Sequence, residues 1–131
     1  MKDPTRDVVK QWLAKAESDW STVEILMASE HCPTEAVCFH CQQYVEKLLK
    51  ALLTLKGIEA PKTHDLRRLI QLAAPFESKL AELAGDSDDL TAHGVQSRYP
   101  GDFWEVEPTE MRRLYELSRE FANILLPRVK Q

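Results

Sequence analysis

The residues best suited to chemistry are concentrated in one stretch, "CFHCQQYVEKLLKALLTLKG", Cys38 to Gly57. Two cysteines three apart flank His40, which could supply half of a thiolate–imidazole metal site. Zinc requires four converging ligands, and the other candidates, His31 and Cys32, lie upstream in the helix-breaking segment "HCPTE". If the stretch is helical, Cys41 points to one side and His40 is turned about 100° from it. Thiols in such a helix behave as small buried hydrophobes. The expectation is therefore a buried helix, with no metal ligands and no cofactor.

The same rotation sorts the rest of the stretch. Val37, Cys41, Tyr44, Leu48, Leu52 and Leu55 share one face, and Cys38, Val45, Leu49 and Leu53 widen it. An apolar arc this broad implies burial against more than one layer, either at the centre of a bundle or partly against another subunit. Opposite it, His40, Gln43 and Lys47 form a polar ridge, with Glu46, Lys50 and Thr54 on the same side. Lys47 and Lys50 suit phosphate, and His40 and Gln43 suit a sugar or base. The plainer alternative is a ridge that is only solvated and ion-paired, with Glu46 and Lys50 at pairing distance on the surface.

Three further positions carry chemistry. His64 in "KTHDL" titrates near neutrality and could act as a general acid or base, or make hydrogen bonds at a helix start. Arg98 and Tyr99 precede Pro100 in a constrained loop, where arginine could grip phosphate and tyrosine could stack on a base. Alternatively, Tyr99 plugs a bundle end while Arg98 pairs with a carboxylate. The expected ligand-binding set is Lys47, Lys50, Arg98, Tyr99, His40, Gln43 and His64, with no catalytic residues. A catalytic alternative uses His64, His93 and Arg98.

The elements that must position these groups are all helical. One helix starts at Asp3 or Thr5 with Trp12, Ala16, Trp20, Val23 and Met27 along its apolar face. Thr34 is positioned to cap the second helix, which runs to about Lys56, where Gly57 offers a left-handed stop. A shorter helix capped near Thr63 ends at Pro75, another turn or two follows, and Asp86 or Ser87 could cap a helix through "DDLTAHGVQ". "SRYPGDFWEVEP" reads as a loop before a last helix from Pro108 to about Arg128. No segment alternates with a two-residue period. The expected fold is all-α, an antiparallel four- or five-helix bundle in a single domain, residues 1–131.

Bulk properties limit the partners. The chain has 131 residues, 44% of them hydrophobic, and a formal charge of -4 from 17 basic and 21 acidic residues. That balance argues against sequence-blind coating of DNA or RNA, since such binding needs a basic surplus. No apolar run suggests a signal peptide or membrane span, and an odd cysteine count fits reduced thiols, so a cytoplasmic location is expected.

Taken together, "KAESDW", "FHCQQYVEKLLKALL", "THDLRRL" and "RYP" resemble, in order and spacing, the HEPN family of small helical domains over about residues 10–126. The resemblance implies a helical bundle assembled as a homodimer. It also implies pairing with a small nucleotidyltransferase, in some members as a toxin–antitoxin couple. Some members cleave RNA without metal through an arginine followed four to six residues later by histidine; others bind nucleotides or other polyanions. None of His31, His40, His64 or His93 has an arginine at that spacing before it, and the nearest approach, His93 to Arg98, is reversed. The expectation is thus a non-catalytic module binding a nucleotide, a short RNA or a partner nucleotidyltransferase. The alternative is a metal-independent ribonuclease with a rearranged site.

Overall fold

The computed structural model describes residues 3–94 and 105–130. Five α-helices, and no strand, are present among them: α1 (Pro4–Met27), α2 (Thr34–Leu55), α3 (Leu66–Ala73), α4 (Ala84–Thr91) and α5 (Pro108–Val129). A 3-10 segment, Ser78–Leu83, joins α3 to α4 where one or two turns were expected. Met111, Leu114, Phe121 and Leu125 form a buried stripe along α5.

α1 begins as its sequence dictates: the Asp3 carboxylate accepts from the Thr5 amide and Pro4 occupies the first turn, where its missing N–H costs nothing. α2 ends at a left-handed glycine. Gly57 has φ +76°, its amide donates to the Thr54 carbonyl, and the Ile58 amide donates to the Leu53 carbonyl. This double closure satisfies carbonyls that the helix end would otherwise orphan.

Three caps differ from expectation. Thr34 is the first residue of α2 but does not cap it; its hydroxyl donates to the Val106 carbonyl at 2.7 Å, tying the start of α2 to the segment before α5. Asp65 rather than Thr63 caps α3, accepting from the Arg67 amide, while the Thr63 hydroxyl accepts from the Asp65 amide. α4 starts earlier than expected, at Ala84, which places Asp86 in its first turn and leaves Ser87 bonded back to the Ala84 carbonyl.

α2 is the axle of the molecule. It packs against α1, α3, α4 and α5, and its run from Tyr44 to Leu53 is buried apart from Lys47. Contacts between Trp20 and Tyr44, and between Trp12 and Lys50, show that α1 runs antiparallel to α2. Cys32 before α2 touches Met111 early in α5, and Leu55 at the end of α2 lines a cavity with Val129 at the end of α5, so α5 runs in the same direction as α2. The intervening α3–α4 segment carries the chain back to the starting end. No helix among the described residues is long and apolar enough to cross a membrane.

Candidate functional site

The polar side of α2 is an interior seam rather than the solvated ridge that periodicity suggested. Two carboxylates organise it. Asp19, buried on α1, accepts from His40 Nδ1 at 2.8 Å and from the Lys47 ammonium. Glu46, with a side chain only 5% exposed, accepts from Lys50 Nζ at 3.0 Å and from His64 Nδ1 at 2.8 Å. A carboxylate can only accept, so each imidazole donates through Nδ1 and keeps Nε2 for another partner.

Glutamines lock this arrangement in place. The Gln42 side-chain amide, fully buried, donates to Glu46 Oε1 at 3.2 Å and to the His64 carbonyl at 3.0 Å. Gln43 donates to Gln42 Oε1 at 2.7 Å and to the Gly94 carbonyl at 3.4 Å. A Cβ added at Gly94 would lie 3.0 Å from the Gln42 amide carbon, so glycine is what lets the end of α4 close on the seam. Asp19 thus ties α1 to α2, while a separate cluster around Glu46 and Gln42 ties α2 to the segment leading into α3 and to the segment after α4.

Lys50 departs most from expectation. Its side chain is 8% exposed, and its ammonium lies 5.6 Å from the centre of the Trp12 ring as well as against Glu46. The Glu46–Lys50 pair is therefore buried, not the weak surface pair suggested by the spacing. Buried ions are tolerated only when charge and hydrogen bonding are both satisfied, as they are here. The signal was present in the sequence: Asp19 falls on the stripe Trp12, Ala16, Val23, and Glu46 on the stripe with Leu49 and Leu53. A carboxylate in an apolar register implies a buried cationic partner.

The remaining candidates separate. His64 is 60% exposed, held by Glu46 from within. His93 is buried, its amide donating to the Leu90 carbonyl, and desolvation lowers its pKa below the ordinary 6.5, partly offset by Glu35, Glu110 and Asp89. Arg98 and Tyr99 lie outside the described residues, as does the "SRYPGDFW" part of the expected loop. Cys38 and Cys41 are buried, and burial, the largest cause for each, pushes both thiols up to about 12. They are protonated at neutral pH. Trp20 stacks on Tyr115 and meets Tyr44 at a tilt, joining α1, α2 and α5.

The seam is built from three of the four segments that suggested a family: "KAESDW" supplies Asp19, "FHCQQYVEKLLKALL" supplies the α2 groups, and "THDLRRL" supplies His64. The HEPN domain profile matches residues 9–129. The chain belongs to the HEPN domain family. A curated relative from Methanocaldococcus jannaschii, named "Putative toxin MJ1304", is 30% identical over 127 aligned residues, which cover 88% of this chain and 82% of the relative. No solved structure matches this HEPN chain significantly.

Proposed function

We propose that this HEPN chain is a non-catalytic binding and assembly module of a toxin–antitoxin pair. It forms a homodimer and engages a partner of the nucleotidyltransferase class, with a nucleotide or short RNA as accessory ligand. Family membership and the toxin named among its relatives support the context.

One observation carries the non-catalytic reading: both α2 lysines are neutralised by the chain's own carboxylates, Lys47 by Asp19 and Lys50 by Glu46. A phosphate arriving there meets two acids along with two ammonium groups, so the seam adds little stabilisation to developing negative charge. Its work is to hold His40, Gln43 and His64 at the rim, where they can hydrogen-bond a ligand. Lys47, which keeps partial exposure, and Arg98 and Tyr99 complete the ligand set. Lys50 acts from beneath as an anchor.

The second reading, a metal-independent ribonuclease, draws on the Glu46–His64 pair. A buried carboxylate orienting an exposed imidazole is a competent proton-transfer arrangement.

Incubating the purified chain with ATP and with structured and unstructured RNA, all in chelator, separates the two. Binding with the RNA left intact supports the module. Cleavage that disappears in both His64→Ala and Arg98→Ala installs the ribonuclease. Neither binding nor cleavage confines the ligand to protein. Light scattering that returns a stable 15.0 kDa species would remove the homodimer.

A further inference from the structure

Both α1 and α5 pack on α2, yet a groove opens between them with Tyr44 and Leu48 on its floor. It is formed by two adjoining cavities of about 580 and 380 Å³ that share Leu13 and Lys130. Tyr115 bonded to Glu24 and Lys130 paired with Glu17 link the two walls. α1 contributes to the groove along most of its length.

The α1 residues in that wall include Arg6, Lys10, Leu13, Glu17, Trp20 and Glu24. Their spacing alternates between four and three, which is the pattern of a helix seam that meets another helix. From Arg6 to Glu24 the seam spans about 27 Å at ~1.5 Å per residue. Its charges are segregated: two cations occupy the first turns and two carboxylates the last. The half-buried Leu13 and Trp20 lie between, and Ile25, 69% exposed, lies beside the acidic end.

A stripe that is basic at one end and acidic at the other complements itself when reversed. We infer that a second copy of this chain docks its α1 antiparallel along this groove, forming the two-fold interface of the homodimer. This rests on the homodimer reading above and adds the surface that makes it.

With the axis midway between Leu13 and Glu17, Arg6 stands opposite Glu24 of the second copy. Lys10 stands opposite Trp20, with Glu17 and Glu24 one turn to either side, and Leu13 meets the methylene stem of Glu17. Ile25 falls against the first turn of the other α1. A parallel arrangement would put Arg6 on Arg6 and Glu24 on Glu24, so charge selects the antiparallel one. An isologous interface requires each patch to complement itself, and this stripe meets that requirement.

Charge-swapped variants test it. Arg6→Glu with Lys10→Glu makes the stripe all acidic, and Glu17→Lys with Glu24→Lys makes it all basic. In sedimentation equilibrium, each variant alone should dissociate at least tenfold more readily than the wild-type dimer. An equimolar mixture should restore association to near the wild-type level as a heterodimer. Circular dichroism on each variant checks that the helices persist. A wild-type dimer whose variants self-associate unchanged, or whose mixture fails to recover, would place the interface elsewhere and leave the homodimer standing. A monomeric wild type would remove both.

Discussion

Asp19 and Glu46 perform the same task at two heights of α2, each neutralising one lysine and orienting one histidine. Removing either leaves a cation without its counter-charge, and at Glu46 that cation is buried. We expect Glu46→Ala to lower stability by about 3–5 kcal/mol, read from the urea midpoint, because Lys50 would be left an uncompensated buried ion. Glu46→Gln should cost less, since its amide oxygen still accepts from His64. If Glu46→Ala shifts stability by less than about 1 kcal/mol, Glu46 is not what compensates the buried Lys50 ammonium. The i,i+4 spacing of Glu46 and Lys50 could be read directly from the sequence. That Asp19 and His64 complete the network could not, because one comes from α1 and the other from the segment before α3, and only packing decides which polar groups meet.

At the level of elements, helix ends show what local sequence does and does not decide. Gly57 was identifiable as a helix stop because a left-handed residue there costs a Cβ-bearing side chain about 1–2 kcal/mol and glycine almost nothing. A Cβ at Gly57 would meet no atom within 4 Å, so the whole penalty of Gly57→Ala is conformational. We expect that variant to unfold at lower urea by about that amount. Gly85→Ala, in α4 and equally uncrowded, should be neutral or slightly stabilising. Equal losses at both glycines would contradict the left-handed closure of α2. Side-chain caps were harder to assign. Thr34 is diverted to the Val106 carbonyl, and Thr63 serves Asp65, which caps α3 in its place. Tertiary competition for one hydroxyl outweighs a local preference worth about 1 kcal/mol.

Across the whole molecule, α2 packs against every other α-helix, so groups remote from its polar seam influence global stability. His93 illustrates this at the end of α4. Burial lowers its folded pKa below 6.5, so the unfolded chain binds the proton more readily than the folded one. Its contribution is fully present above pH 6.5 and is lost as pH falls through the folded pKa. We expect the melting temperature to decline below about pH 6.5, and His93→Gln, if folded, to flatten that part of the profile. An unchanged profile would mean that other groups govern acid sensitivity. The broad apolar arc of α2 pointed to an interior helix, and its burial on all sides by α1, α3, α4 and α5 accounts for that breadth within one chain. By itself the sequence determined the helical class, the extents of the long helices and the inward apolar stripes. Those follow from periodicity, proline and glycine, which act over a few neighbouring residues. Tertiary structure alone decided that α5 runs beside α2 in the same direction, and that the α2 lysines turn inward onto carboxylates. Those depend on which distant segments share a desolvated space, where a charge must find its opposite or stay out.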